Sequence, residues 1–293
     1  MGDLRRLAIV ARFELRDALR SKLVWMVVGL FAGGSALGSL VFIKALQGAE
    51  AGTREMIAQQ TGASPDAVPM DQIKTQALQG IFSLFEDEGV RSTLMGMQPL
   101  AIFFGVAAIY AIPLLVLGLS AGAHASDIQS GAVRFTIFRC DRTTWAVGKM
   151  LGHLLLIALG LAIAALVSGI IGYLYQPEFS SGTWGDLLLS SLRAFFFAGA
   201  YLGIFSGLSL MTRAPLLARA LSLAALFVCG VGHFLASNTR VLPSGARYFF
   251  PGHYEGGLWN ADLAIYLQSA FALLLFGAVG FALGIAKFRR IDA

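Results

Sequence analysis

The sequence predicts an all-α polytopic membrane protein with six transmembrane helices, and three observations carry that prediction. Hydrophobic residues make up 57% of the 293 positions, charged residues only 13%, and the mean hydropathy is +0.72. A soluble domain is usually about 25% charged, so this chain lacks the polar surface such a domain needs. Apolar tracts near twenty residues long recur along it, the length a helix needs to cross a bilayer. Fifteen Lys and Arg fall in the segments that alternate as inner and six in those that alternate as outer. That positive-inside bias needs an even number of spans and puts both termini in the cytoplasm. It also accounts for the net charge of +5, which leaves no role for nucleic acid.

Taken in order, residues 3–21 form an amphipathic helix. Leu4, Leu7, Ala8, Ala11, Leu15, Ala18 and Leu19 recur at helical spacing, with Arg5, Arg12, Arg16 and Arg20 on an adjacent stripe. Such a helix lies in the interface with its arginines near anionic headgroups, and it holds the N-terminus inside. The first span is about 23–43. Ala49-Glu50-Ala51 resembles a signal-peptide cleavage site, but the apolar core is longer than a signal peptide carries. Gly29/Gly33 and Gly34/Gly38 are small-xxx-small pairs that would let another helix approach.

Residues 44–99 are the one large polar region, an outer loop with seven acids against four bases. Within it Ile73, Ala77, Ile81 and Phe85 repeat every four residues and predict an amphipathic helix. Glu86-Asp87-Glu88 reads as a solvated acidic face. The remaining spans fall at about 100–121, 147–175, 187–212, 216–236 and 263–286. Pro113 sits inside the second, where it can kink the helix. Between the second and third spans lies a basic cytoplasmic segment, 122–146, followed closely by Gly148-Lys149. A short polar segment tied to two spanning helices can carry force between a cytoplasmic partner and the membrane.

The chemistry that is missing narrows the function. The one Gly-Lys pair, Gly148-Lys149, lacks the upstream glycine of a phosphate-binding loop and is followed by Met150. Energy from ATP must therefore come from a partner. The spans carry almost no acids, whereas ion-driven carriers place carboxylates at mid-membrane. Cys140 and Cys229 suit neither a disulfide nor a Cys-based metal site. His124, His153, His233 and His253 are scattered, with no tight ligand spacing.

Two alternatives attach to particular residues. Ser206, followed by Gly207, together with His233 suggests a rhomboid-like intramembrane serine protease in which the imidazole activates the serine. The Gly-x-Ser-Gly pattern fails there, since position 204 is Ile204. Met95 and Met97 form a Met-x-Met pair of the kind that binds a soft metal ion. They point to a membrane protein that handles a soft metal such as copper.

In four places the chain resembles the permease subunits of ABC-2 type ABC transporters, and the resemblance spans nearly all of it. Phe13-Glu14-Leu15 with Leu19-Arg20-Ser21-Lys22 is similar to that family's leading amphipathic helix. Asp127 with Ser130-Gly131, then Arg142 and Gly148-Lys149, resembles its cytoplasmic signature between spans two and three. Leu242-Pro243 and Phe250-Pro251-Gly252 are similar to its outer re-entrant segment, and Phe288-Arg289-Arg290-Ile291-Asp292 to its tail.

The resemblance implies a permease in the bacterial inner membrane, paired with a second copy or a close homologue. Two P-loop ATPase subunits would dock beneath it and bind the ATP and Mg, leaving this chain with no cofactor of its own. It further implies that Glu14, Arg20, Asp127, Gly131, Arg134 and Arg142 serve the coupling to those ATPases. Gly29, Gly33, Gly34 and Gly38 would lie at the dimer or translocation interface near spans one, two and five. An apolar, glycine-rich path suits export of a lipid-like or amphipathic cargo, and the long outer loop suggests a periplasmic partner at 44–99. With that partner the chain would act as a mechanotransmission unit or, by analogy with relatives that serve cofactor-site maturation, as a copper-handling permease.

Overall fold

A computed structural model describes residues 3–61, 87–137, 140–177, 179–239 and 242–290. The expected helix through Ile73, Ala77, Ile81 and Phe85 lies outside the described residues, as do Glu86, Arg139 and the tail residues Ile291 and Asp292.

The described chain is helical. Helix α1 (Asp3–Ala18) meets α2 (Lys22–Thr61) at a tight corner, which the Trp25 indole closes by donating to the Leu19 carbonyl at 2.8 Å. Helix α2 runs unbroken for 40 residues, well beyond the end expected for the first span. Its C-terminal half stands in the outer region that the sequence had suggested was loop. A short helix α3 (Glu88–Gly96), capped by Asp87, leads into α4 (Pro99–Ser120), which opens on Pro99 and carries Pro113 within it.

On the basic side, α5 (Ala123–Ser130) and α6 (Ala132–Ile137) form a bracket hinged at Gly131. Gly131 has φ +73°, the left-handed conformation that favours glycine at a helix end. Helix α7 (Arg142–Tyr175) follows, its first turn capped by Asp141 through the Thr144 amide at 2.9 Å. Then come α8 (Ser181–Met211), α9 (Pro215–Asn238), three short 3₁₀ turns over Ser244–Trp259, and α10 (Leu263–Arg289). Among the described residues six helices are long and apolar enough to cross a membrane, which makes this an all-α polytopic membrane protein.

Helix α8 is the axis of the bundle. Two-thirds of its apolar stretch is buried against α10, α4 and α7, whereas α9 buries 11% and α2 22%. Between two membrane helices there is no hydrophobic drive to associate, so close packing must supply the attraction. Here glycines allow it. Gly199, Gly203 and Gly207 on α8 face Gly277, Gly280 and Gly284 on α10, and a methyl group at Gly203 or Gly207 would run into the opposite backbone. By contrast α9 presents Leu216, Leu223, Phe227 and Phe234 outward, a face suited to lipid or to another subunit.

The 3₁₀ turns dip into the bundle and return. Phe250 lies against Gly232 of α9, the Tyr254 ring sits tilted with its centroid 5.8 Å from that of Phe276 of α10, and Trp259 fills the notch at Gly105 of α4. Phe276 lies thirteen residues, or about 20 Å, beyond the outer start of α10. Gly105 lies only six residues past the start of α4. The segment is therefore re-entrant, lowest near Tyr254.

Replacing Gly203 with Val should prevent α8 and α10 from approaching and leave little folded protein after detergent extraction. Gly230→Val, at a position with open space, should be recovered near wild-type yield. Equal recovery of both variants, judged by size-exclusion chromatography, would contradict the glycine contact.

Candidate coupling site

The basic side of the membrane is organised by α7. Its glycines at 148 and 152 cut a groove into which α1 lies: Val10 occupies the space at Gly148, and the Glu14 side chain with the Ala11 carbonyl occupies that at Gly152. The face of α1 turned inward thus carries Val10, Ala11 and Glu14, while Leu4 and Ala8 are exposed. The apolar spacing of the sequence had suggested a face that included Leu4 and Ala8. The helix is rotated because an acid on α1 has a cation to meet.

That cation is Lys149, 5% exposed. Its Nζ lies 3.0 Å from Glu14 Oε1 of α1 and 2.8 Å from Asp127 Oδ2 of α5. A buried ammonium is tolerated only with counter-charge and hydrogen-bond acceptors around it, and here two helices each contribute one carboxylate. His153, one turn further along α7, has Nδ1 3.0 Å from the Lys149 carbonyl, which can only accept, so that nitrogen carries the proton. Its Nε2 is 3.8 Å from Glu14. Above the cluster His124 packs edge-on to Trp145, with ring centroids 5.5 Å apart.

The same turns of α7 hold the end of α10. Arg142 donates to the carbonyls of Phe288 and Arg289, both at 3.4 Å, and sits over the Phe288 ring. Arg289 returns a bond to the Thr143 hydroxyl at 2.7 Å. Guanidinium groups at the C-terminal carbonyls complement the negative end of the helix dipole. Just before α7, hydrogen bonds from the Thr144 hydroxyl and amide hold the Asp141 carboxyl below its ordinary range. The stabilisation from this cap is present above the ordinary carboxylate range and is lost as the pH falls through the lowered folded value. Burial pushes the neighbouring Cys140 thiol up, which disfavours the thiolate.

The residues singled out in the sequence are divided by this arrangement. Glu14 and Asp127 come together on Lys149, Arg142 grips the end of α10, and Gly131 is the hinge of the bracket. Arg134 and Arg20 are exposed, Arg134 beside Phe135, which is 78% exposed. Gly29, Gly33 and Gly34 face open space on α2, whereas Gly38 is filled by the Phe103 ring of α4.

Ser206 and His233 are not brought together. Ser206 lies five residues from the inner end of α8, while His233 lies eighteen residues beyond the inner start of α9. At 1.5 Å per residue their levels differ by about 20 Å, and His233 pairs instead with the Ser237 hydroxyl at 3.4 Å. Met97 and Met95 also part. The Met97 sulfur accepts from Arg193 at 3.1 Å, while Met95 is 63% exposed.

Lys149 is the residue that the sequence reading undervalued. Its place seven residues inside α7, next to glycines spaced four apart, was the available signal. A charged residue within a span is a functional candidate by default.

Lys149→Met should leave two partly buried carboxylates facing each other without a cation, a loss on the order of 3 kcal/mol. Glu14→Gln should cost less, because Asp127 still pairs with the lysine. Thermal unfolding of the purified variants checks the order, and a Lys149→Met midpoint equal to wild type would rule out the cluster as a structural tie.

A protein-family model described as "ABC-2 family transporter protein" matches residues 8–241, from α1 to the residues just past α9. No curated protein matches the chain.

Proposed function

The chain belongs to the ABC-2 transporter family, and on that premise we propose that it is the membrane permease of an ATP-driven exporter in a bacterial inner membrane. Two P-loop ATPase subunits dock on its basic side and a second copy or close homologue pairs with it. The observation that carries this reading is the Lys149 cluster, which ties α1, α5 and α7 together at the face where the ATPases would bind. A load applied to the bracket α5–α6 reaches α7 through Asp127 and Lys149, and reaches α1 through Lys149 and Glu14. The corner between α1 and α2 then passes it into the first span.

In this scheme Glu14 and Asp127 act from inside, as the linkage, and Gly131 sets the angle of the bracket. Arg134 and Phe135 on α6 and Arg20 at the α1–α2 corner are the groups offered to the ATPase. Arg142 keeps the last span in register with α7. The open glycines Gly29, Gly33 and Gly34, together with the uncovered α9, are offered to the second copy. Between α2 and α4 an apolar groove of about 210 Å³, lined by Leu30, Phe31, Gly34, Phe103 and Ala107, suits the hydrocarbon part of an amphipathic cargo. The long outer extension of α2 is a place for a periplasmic partner.

The first test is gentle purification of the tagged chain from its native membranes. A co-purifying P-loop ATPase in stoichiometric amount is expected, and its absence in several mild detergents would sink the permease reading. With the complex in hand, Arg134→Glu should lower ATP-dependent transport several-fold while membrane insertion is kept; unchanged transport would remove Arg134 from the docking face. Gly33→Leu should fold normally, having no neighbour to strike within its own chain, yet lower the fraction of paired permease measured by crosslinking. An unchanged fraction would move the interface elsewhere.

A further inference from the structure

The membrane helices carry almost no acids, yet the fold delivers one to membrane depth by another route. Glu255 lies next to Tyr254, at the lowest part of the re-entrant segment. Its carboxyl lies within electrostatic reach of the Tyr110 hydroxyl. Tyr110 is eleven residues past the outer start of α4, about 16 Å below it. With a hydrocarbon core of about 30 Å, that is close to the bilayer centre. A carboxyl at this depth is costly and marks a functional site.

Two further facts point to its role. Tyr110 is 68% exposed on the face of α4 that also bears Ala107 and Leu114, and Glu255 is half-buried. Among the described residues no Lys or Arg pairs with Glu255. A second copy has little to offer either. Leu23–Ile43 of the first span holds no Lys or Arg, α4 holds none, and α9 holds none beyond Arg219 near its inner end. At this depth the carboxyl is either neutral or met by a positive charge that a ligand brings.

We propose that Glu255 and Tyr110 form a recognition site for the ammonium headgroup of an amphiphilic cargo, whose alkyl part lies along the apolar face of α4. The carboxylate supplies the counter-charge, and the exposed Tyr110 ring supplies an aromatic surface to which an ammonium is attracted. The inference rests on the permease reading for calling this ligand a cargo, and it names the chemical class of that cargo.

The test uses the purified full-length chain in maltoside micelles, with no ATPase and no ATP, so its outcome is independent of whether an ATPase co-purifies. The probes are a fluorescent dodecyl trimethylammonium and the same fluorescent chain ending in a hydroxyl, titrated against wild type and two variants. Wild type should bind the cation at least about tenfold tighter than the alcohol, the scale of a charge-assisted contact. Glu255→Gln should abolish that preference and leave binding of the alcohol unchanged. Tyr110→Phe, a change on an exposed face, should keep the fold and weaken the preference about threefold. Equal binding of the two probes by wild type would overturn the site. So would a preference that survives Glu255→Gln. If Glu255→Gln does not elute as folded protein, the Tyr110→Phe result decides, and an unchanged preference there overturns the site as well.

Discussion

A lysine that cannot reach water fixes the arrangement of everything on the basic side. Lys149 sits inside α7, and its ammonium is compatible with that position only while Glu14 and Asp127 stay within hydrogen-bond reach. Those carboxylates belong to helices far apart in sequence, one before the first span and one after the second. Their convergence makes α1 part of the bundle rather than a separate interfacial helix. It also explains Gly148 and Gly152 of α7: a side chain at either would lift α1 away and strand the charge.

The bundle behind this cluster is held by a different physics. Backbone contact between α8 and α10 depends on small residues in register, with no charge involved, and it yields a rigid centre from which α2 and α9 stand apart. Rigid centre and loosely attached flanks are what a machine needs if the flanks are to move. Arg142 and Arg289 join the two regimes, fastening the foot of α10 to the first turn of α7.

Much of the architecture was legible beforehand. Apolar length and charge bias mark the six spans because the bilayer imposes both, and the leading helix, the central hinge and the re-entrant segment are marked by motif. Other features depend on tertiary pairing that no local pattern encodes. The inward face of α1 was misread because apolar spacing alone favours Leu4 and Ala8, and nothing near Glu14 in sequence announces a lysine 135 positions away. The protease pair failed for a related reason: Ser206 and His233 lie on consecutive helices but at different depths, and depth is read only once helix ends are known. The scarcity of acids in the spans was read correctly, but it did not extend to the membrane interior, because Glu255 enters from a segment that is not a span.

The unbroken course of α2 has a mechanical meaning. Its 40 residues make a rod about 60 Å long, roughly twice the hydrocarbon thickness. One end is fixed at the corner with α1, the middle packs on α4 and α7 through Phe42–Phe103 and Ser35–Ser168, and the last turns run beyond the hydrocarbon thickness. A rod held that way is a lever. Tilting it by about ten degrees on that middle contact moves each tip by about 5 Å, so a displacement near the cytoplasm is returned in the opposite sense on the far side.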